Sequence, residues 1–448
     1  MSESGELGRR DFLLAGAVAG LGAAAVPLGM TEAAAQSPAL PVAPPMERVR
    51  IGFVGVGGMG TVHVENLLRI EGAELHAICD IVPEKVAKAQ EKVVAAGQPM
   101  PRGFSAGPRD FERMCGEMDL DLVYTATPWE WHVPVCLAAM RSGKHAATEV
   151  PAAYTVEDCW ELVETAERTG RHCVMMENCC YDRLEMLMFH LARLGILGEL
   201  LHAECGYLHD LREIKFSAEG EGLWRRAHAM ARNGNLYPTH GLGPIAQCMD
   251  INRGNQFDYL VSMSTPPRGL ELYAREHFPP GDPRRKERFR LGDVNVSLIR
   301  TKRGETIYLG HNCDSPRPYS RGIVLQGTRG IVEGWPGRVY VEGRSAREHR
   351  WDELDPWYER YEHPLWKSER VRTATGGHGG MDFLEDWRLI ECLRRGEPTD
   401  QNVYDAAAWS VITPLTERSV ASRSRPVEVP DFTRGRWKST PPLGIIGA

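Results

Sequence analysis

The sequence has no Cys-x-x-Cys pair, although its 448 residues include eleven cysteines. It also lacks cysteine–histidine spacing of the zinc-site type, so we expect no metal. The cysteine count is odd and two cysteines, Cys179 and Cys180, are adjacent, which does not suggest a disulfide framework. We therefore interpret most cysteines as small buried residues of a chain that folds in a reducing compartment.

An excess of positive charge is also missing. The formal charge is −7 at pH 7 and the isoelectric point is near 6.1, so we predict no nucleic-acid partner. Hydrophobic residues make up 42% of the chain and charged residues 25%, which is typical of a globular protein with two or three domains.

The N-terminus carries an apolar run that is short for a membrane span. Arg9 and Arg10 precede the run from Phe12 to Val26, and the small residues 33–35 offer a cleavage site. The pattern resembles a twin-arginine export signal, with Gly8 where serine or threonine is usual; a Sec signal and a retained anchor are the alternatives. We predict a signal peptide over residues 1–35, a proline-rich linker over 36–48, and a periplasmic or otherwise exported protein without stable membrane association after cleavage.

The next part of the chain alternates apolar strands with helical segments. Strand patterns occur at VRIGFVGV, AELHAICD, LDLVYTAT, HAATEV and HCVMME, and an amphipathic segment lies between each pair. This alternation predicts an α/β domain over residues 49–177, a doubly wound parallel sheet of the Rossmann type.

The second half has successive strands without helices between them. These are LLHAECGYL, FDYLVSMST, VNVSLIRTK, ETIYLGHNC and GIVLQGT, and two late helices, MDFLEDWRLIECLRRG and VYDAAAWSVITPLTERSVA, follow them. The pattern predicts an α+β domain over 178–425 with an open, mostly antiparallel sheet, and a tail over 426–448. The exposed face of such a sheet is a candidate surface for homo-oligomerisation.

A glycine-rich turn follows the first strand. Gly55, Gly57 and Gly60 stand in G-x-G-x-x-G register before a helix, and Asp80 ends the second strand twenty residues later. Such glycines let the backbone approach a pyrophosphate at the helix N-terminus. A carboxylate at Asp80 would accept the ribose hydroxyls and repel a 2′-phosphate, so the motif predicts NAD rather than NADP.

The stretch TATPWEWHVPVCLAAMRSGKHAATEVPAA resembles the corresponding region of the Gfo/Idh/MocA oxidoreductases. Those proteins join a Rossmann domain to an open antiparallel sheet, and many carry a Glu-Lys-Pro tripeptide with a catalytic lysine. Here Val150 stands between Glu149 and Pro151. Because valine carries no proton, either the protein is not a dehydrogenase or its proton chemistry lies elsewhere.

One branch of that superfamily, glycoside hydrolase family 109, shares further motifs with this chain. PWEWH, MENCCYDR, GYLHDLR, NLYPTHGLGP, INRGN, SPRPYSRG and GGHGGMDF all resemble its signatures. The resemblance implies an NAD-dependent glycosidase of the α-N-acetylgalactosaminidase type. In its mechanism NAD⁺ oxidises C3 of the sugar, the acidified C2 hydrogen is removed as the C1 substituent leaves, water adds, and NADH restores C3.

The resemblance also implies site residues. His240 would be the acid/base at the C3 hydroxyl and Tyr181 the partner near C2; helix capping and core packing are the alternatives. The implied substrate contacts are Tyr181, Arg225, Tyr237, His240 and Tyr319. The cofactor contacts are Gly55, Gly57, Gly58, Met59, Gly60, Asp80, Thr127, Trp129, Trp131, His132, Glu149 and Asn178. His378 would line the pocket entrance, and His132 is expected to satisfy backbone groups rather than to act in catalysis.

Two other functions stay open at this stage. The first is an NAD-dependent sugar dehydrogenase of the same superfamily, which the missing lysine and the export signal disfavour. The second is a non-catalytic sugar-binding protein that retains NAD as structure, which the set of His240 and the tyrosines disfavours.

Overall fold

The computed structural model of the chain describes residues 43–368 and 377–444. The predicted signal peptide and most of the predicted linker lie outside these residues. Within the described residues, no helix is both long and apolar enough to span a membrane.

The first sheet contains six parallel strands in the order β3-β2-β1-β4-β5-β6. They are β1 (Val49–Val54), β2 (Ala73–Cys79), β3 (Arg102–Phe104), β4 (Leu122–Thr125), β5 (His145–Thr148) and β6 (Cys173–Met175). The helices between them are α1 (Gly58–Leu67), α2 (Pro83–Ala95), α3 (Asp110–Glu117), α4 (Trp129–Arg141) and α5 (Val156–Thr169). The strand order reverses between β1 and β4, so a crevice opens at their carboxyl ends.

The second sheet contains nine strands in the order β14-β13-β12-β11-β7-β10-β9-β8-β15. They are β7 (Leu200–Leu208), β8 (Phe257–Ser264), β9 (Asn295–Thr301), β10 (Thr306–Asn312), β11 (Val324–Gly327), β12 (Gly330–Glu333), β13 (Arg338–Val341), β14 (Asp352–Glu353) and β15 (Val427–Glu428). All neighbours pair antiparallel except β7 and β10, which pair parallel. The predicted fold class is therefore confirmed, and part of the predicted tail forms an edge strand.

The second half of the chain also forms helices, and these pack on both sheets. They are α6 (Arg183–Arg193), α7 (Arg212–Phe216), α8 (Gly222–Ala231), α9 (Thr239–Cys248), α10 (Gly269–His277), α11 (Asp355–Tyr361), α12 (Pro364–Lys367), α13 (Met381–Arg395), α14 (Val403–Ser410) and α15 (Ile412–Ala421). Helix α9 packs on β7 and α15 packs on β8, whereas α13 contacts α1 and α14 contacts α5 and β6 of the first domain. The nine-stranded sheet exposes large side chains such as Met263 of β8 and Leu298 of β9.

One predicted helix is two helices in the structure. The segment VYDAAAWSVITPLTERSVA breaks at Val411 into α14 and α15. Pro414 stands in the first turn of α15, where it has no N–H to donate to the carbonyl of Ser410. The two helices consequently meet at a junction rather than continuing as one.

Candidate functional site

A cleft of about 470 Å³ lies at the carboxyl ends of the parallel strands. Its walls come from the glycine-rich turn, the ends of β2, β4 and β5, and the N-terminal part of α8. Of the predicted cofactor residues, those lining it are Gly55, Gly57, Gly58, Met59, Asp80, Thr127, Trp129, Trp131, His132 and Glu149. Of the predicted substrate residues, Arg225 and Tyr237 line it as well.

The glycine-rich turn has the geometry that pyrophosphate binding needs. Gly55 adopts φ +84°, and a Cβ on Gly60 would lie 1.9 Å from the Gly55 carbonyl oxygen, so a larger residue would separate α1 from β1. A Cβ on Gly57 or Gly58 would meet no atom within 4 Å, because both residues face the cleft. The N-terminus of α1 begins there, at Gly58.

Asp80 stabilises the glycine-rich turn and can still accept hydrogen bonds from a ribose. Its two carboxylate oxygens accept hydrogen bonds from the backbone N–H groups of Val56 and Val82, each at 2.9 Å. Each oxygen retains a second lone pair for a hydroxyl in the cleft. The loop, the helix end and this carboxylate together fit an NAD molecule.

Arg225 lies inside a group of aromatic rings at one end of the cleft. Its guanidinium lies 5.2 Å from the Trp129 ring, 4.8 Å from Trp224 and 5.1 Å from Tyr237. Nε donates to Glu221 at 2.5 Å. Burial opposes the charge, but Glu221 and nearby tyrosines raise the pKa of Arg225, so it carries a positive charge next to the predicted substrate position.

His240 forms a buried pair with Glu177, just past the aromatic group. The His240 ring lies 4.8 Å from the cleft-lining Tyr237, and Nδ1 is 2.7 Å from Glu177 Oε1. Glu177 is fully buried at the end of the parallel sheet and also accepts the backbone N–H of Cys179 at 3.2 Å. The carboxylate assigns the Nδ1–H tautomer, which leaves Nε2 free to accept a proton.

A cysteine stands next to this pair. The Cys179 Sγ, Glu177 carboxylate and His240 ring nitrogen lie within 4.8 Å of one another, a spacing that could hold a metal ion. Burial raises the pKa of the Cys179 thiol well above its ordinary value, which disfavours the thiolate that a metal requires. The carboxylate–imidazole hydrogen bond is therefore the better account of the arrangement.

Tyr207 contacts three of the predicted substrate residues and lines a small cavity that shares Trp129, Arg225 and Tyr237 with the cleft. Its ring is 4.6 Å from Tyr237, 5.3 Å from His240 and 6.3 Å from Tyr319. Its hydroxyl lies 3.2 Å from Nδ1 of His209, a partly exposed imidazole whose pKa burial lowers. A neutral His209 can accept the phenolic proton.

The hydroxyl of Tyr319 is positioned by a hydrogen bond from Arg321. Arg321 donates to the Tyr319 hydroxyl at 2.8 Å and to Glu185 at 2.6 Å. Burial raises the pKa of Tyr319 despite the arginine, so its phenol stays protonated and can donate a hydrogen bond to a sugar.

The hydroxyl of Tyr181 bonds a buried carboxylate, and the role predicted for it near C2 remains a prediction. Its hydroxyl donates to Asp400 at 3.0 Å, and Asp400 also accepts two hydrogen bonds from Arg388. Burial raises the pKa of Tyr181 well above its ordinary value, so the phenol stays protonated. Tyr181 lines a separate, small cavity with Arg388 and Asp400, and therefore does not present its hydroxyl to the cleft.

Position 150 is at the cleft, as the motif predicted, and it is apolar. Val150 is buried there, and its N–H donates to the Glu149 carboxylate at 3.0 Å. His132 bonds two backbone carbonyls, of Thr127 and Pro151, each at 2.8 Å. The Val150 side chain therefore cannot carry the proton that a lysine would carry at this position. His132 does not supply it either, because both of its ring nitrogens face backbone carbonyls.

Asn178 is buried behind the cleft rather than on its wall. Its side-chain amide donates to Asp382 at 2.7 Å, and the same carboxylate accepts from Nδ1 of His378 at 2.8 Å. Asp382 raises the pKa of His378, whose ring is half exposed. His378 therefore lies at the surface, and Asp382 favours the charged form of its ring.

The sequence did not single out Glu177, Tyr207, Glu221 or Trp224 of the site. Glu177 follows the end of β6 by two residues, and a carboxylate just after a strand of a doubly wound sheet is a signal that could have found it. Tyr207 lies in the quoted motif GYLHDLR, but nothing in the sequence separates it from the other tyrosines.

The overall fold is shared with solved oxidoreductases. A levoglucosan dehydrogenase in complex with NADH and levoglucosan superposes with a TM-score of 0.65 at 19% identity, covering 86% of this chain and all of that chain. A scyllo-inositol dehydrogenase from Lactobacillus casei, with bound NAD(H) and scyllo-inositol, gives 0.60 at 12% identity, covering 85% and 99%. At these identities the likeness establishes the fold alone.

Curated relatives are much more similar in sequence. A glycosyl hydrolase family 109 protein of Solibacter usitatus is 48% identical over 439 residues, which cover 97% of this chain and 99% of that protein. A protein of Shewanella oneidensis named alpha-N-acetylgalactosaminidase is 48% identical over 412 residues, which cover 91% and 90%.

Two family models match adjacent parts of the chain. The model of the oxidoreductase family with an NAD-binding Rossmann fold matches residues 49–177, which include the glycine-rich turn, and the predicted cofactor is confirmed. The model of the glycosyl hydrolase 109 C-terminal domain matches residues 181–439, which include His240, Arg225 and Tyr319. The chain therefore belongs to glycosyl hydrolase family 109, and it is an NAD-dependent glycoside hydrolase.

Proposed function

We propose that the protein hydrolyses terminal N-acetylgalactosamine-type, or related hexosaminide, glycosides by transient oxidation of C3, elimination across C1 and C2, addition of water, and reduction of C3. The observation that carries this proposal is the His240–Glu177 pair next to an NAD cleft that holds valine at position 150. The name alpha-N-acetylgalactosaminidase, given to a relative 48% identical, supports the choice of substrate.

The carboxylates of the cleft argue against direct displacement at C1. A conventional glycosidase needs two carboxyl groups that face the glycosidic bond. Among residues 43–368 and 377–444, three acidic residues line the cleft. Each is paired: Asp80 with two backbone amides, Glu149 with His63, and Glu221 with Arg225. A route that needs no such pair fits these side chains better.

His240 serves the C3 hydroxyl in this proposal. With Nδ1–H donating to Glu177, its Nε2 accepts the hydroxyl proton during oxidation and returns it during reduction. Glu177 keeps the ring in this tautomer and stabilises the imidazolium that forms. NAD, bound by the glycine-rich turn and Asp80, supplies the reversible acceptor for the C3 hydrogen.

Tyr207 is the alternative to Tyr181 for the proton at C2. Burial raises the pKa of both phenols, but the partner of Tyr207 is the neutral imidazole of His209, whereas that of Tyr181 is the carboxylate of Asp400. A ketone at C3 acidifies the C2 hydrogen, and the Tyr207 phenol with neutral His209 behind it forms a pair that can move a proton there. Burial raises the pKa of Tyr207, while Arg225 opposes the rise and also stabilises enolate charge. Tyr237 and Tyr319 would orient the sugar.

We also propose that the protein is exported in folded form by the twin-arginine route. A cofactor that is used and restored in each turnover needs no pool of NAD outside the cytoplasm, and loading before export would supply it. This agrees with the motif around Arg9 and Arg10, which lies outside the described residues.

The test is to purify the protein without added cofactor and assay it against nitrophenyl glycosides that vary in anomer, in C4 configuration and in the 2-acetamido group. We expect bound NAD, cleavage of an N-acetylgalactosaminide, and no net NADH. Net NADH from free sugars would show a dehydrogenase instead. Retained NAD without turnover of any glycoside would show a sugar-binding protein.

A further inference from the structure

His63, on α1, is buried between carboxylates from both domains. Its side chain is 0% exposed; Nδ1 lies 2.9 Å from Asp386 of α13, and Nε2 lies 2.9 Å from Glu149 at the end of β5. The C-terminal helix α13 packs against α1 at this point. An imidazole thus connects a residue of the cofactor cleft to the second domain.

The hydrogen bonds favour a charged ring. When both carboxylates are ionised, each accepts from His63, so both ring nitrogens donate and the ring is an imidazolium. Burial alone would lower the pKa of His63, but Asp386 and Glu149 outweigh it and raise the pKa well above its ordinary value. Asp386 is fixed further by Tyr124 and Asn66, each at 3.0 Å. A positive charge on His63 is therefore stabilised by a carboxylate at each ring nitrogen.

Glu149 is held by two donors that leave its cleft side free. One carboxylate oxygen accepts from His63 at 2.9 Å and the other from the Val150 N–H at 3.0 Å, while the side chain stays 16% exposed in the cleft. Removal of a charged donor to a buried carboxylate releases its geometry as well as its charge.

We propose that His63, supported by Asp386, is a positioning residue that fixes the Glu149 carboxylate for NAD, so that helix α13 of the second domain contributes to cofactor retention. Position 150 has no lysine, and the positive charge beside Glu149 comes instead from the protein interior. The inference concerns the NAD cleft and does not depend on which glycoside the enzyme cleaves.

The experiment measures the rate of NAD release from the full-length holoenzyme, by chase with excess unlabelled NAD. The variants are His63→Asn, Asp386→Asn, Glu149→Gln and the double variant His63→Asn/Glu149→Gln. A matched control is His145→Asn. His145 is a buried histidine of the same domain, but within the described part of the chain its side chain bonds the backbone N–H of His172 and no carboxylate. Thermal melting of each holoenzyme checks that it is folded.

We expect Glu149→Gln and His63→Asn each to speed NAD release by about 10- to 100-fold, the scale of one charge-assisted hydrogen bond. Asp386→Asn keeps an acceptor for Nδ1–H and should have a smaller effect. If His63 acts through Glu149, the double variant should release NAD no faster than Glu149→Gln alone.

Additive effects in the double variant would overturn the proposal, because His63 would then act independently of Glu149. Release rates unchanged in His63→Asn, or raised equally in His145→Asn, would also overturn it. If His63→Asn does not fold, the milder Asp386→Asn, paired with Glu149→Gln in the same cycle, decides the question by the same criterion.

Discussion

Replacing Glu177 with glutamine tests how the chain controls the proton of the C3 hydroxyl. Glutamine keeps the shape of the side chain, and its carbonyl oxygen can still accept from His240 Nδ1 and from the Cys179 backbone N–H. The charge is lost. His240 then forms its imidazolium without a carboxylate at 2.7 Å.

The expected loss follows from that single hydrogen bond. A hydrogen bond to a charged group contributes about 1.5–3 kcal/mol, and Glu177 is fully buried, so solvent does not screen it. Because the charge on the ring exists only after proton transfer, the loss should fall on kcat, by about 10- to 150-fold, and leave KM nearly unchanged. NAD should remain bound, since the glycine-rich turn and Asp80 are untouched.

The assay is steady-state hydrolysis of a nitrophenyl glycoside, with NAD content measured on the same sample. Asp405→Asn is the matched control: this carboxylate is also buried, but it bonds Arg253 and Asn252, away from His240. Normal kcat in Glu177→Gln, or equal losses of kcat in both variants, would refute the proposed role of the pair.

Three further predictions concern other residues. Tyr207→Phe should lower kcat by ~10²–10⁴-fold, the scale of a lost acid/base, whereas Tyr181→Phe should change melting more than kcat; the reverse result would support the original assignment of Tyr181. Asp80→Arg should weaken the binding of NAD and reduce discrimination against NADP. The measurement is the dissociation constant for each nucleotide, and thermal melting checks that the variant is folded. Burial lowers the pKa of His145 to about 3 in the folded protein. As the pH falls below 6.5, this histidine is protonated in the unfolded chain but not in the folded one, so the free energy of unfolding decreases. Between pH 6.5 and pH 5, the free energy of unfolding of His145→Asn, measured by denaturant unfolding, should therefore decrease by about 2 kcal/mol less than that of the parent. Equal decreases would mean that His145 does not titrate in the unfolded chain over this pH range.

The parallel sheet was predictable because its strands are apolar runs bounded by glycines and turns. The sequence did not predict helix α9, because THGLGPIAQC contains two glycines and a proline, which disfavour a helix. The fold gives the reason for Gly241, since a Cβ there would lie 2.4 Å from the Gly206 backbone nitrogen of β7. Close packing of a helix on a strand overrides local propensity and is invisible in one sequence.

The site was predictable where a motif fixes a residue by its position next to a strand. Gly55, Asp80 and Glu149 are of this kind. Tyr181 was assigned from a motif in which it follows Asn178 closely, but a 3₁₀ turn over Asn178–Tyr181 directs its hydroxyl to Asp400, 219 residues further along the chain. The His240–Glu177 pair depends on a contact between separate elements, and only the folded chain brings them together.

The central claim is that hydrolysis proceeds through cleavage of the C2–H bond with no net redox. The most direct measurement is turnover of an N-acetylgalactosaminide in deuterated water, with the released sugar examined by NMR and mass spectrometry. We predict one deuterium at C2 and no accumulation of NADH. A released sugar that keeps its original hydrogen at C2, formed at full rate, would contradict the mechanism and require direct displacement at C1.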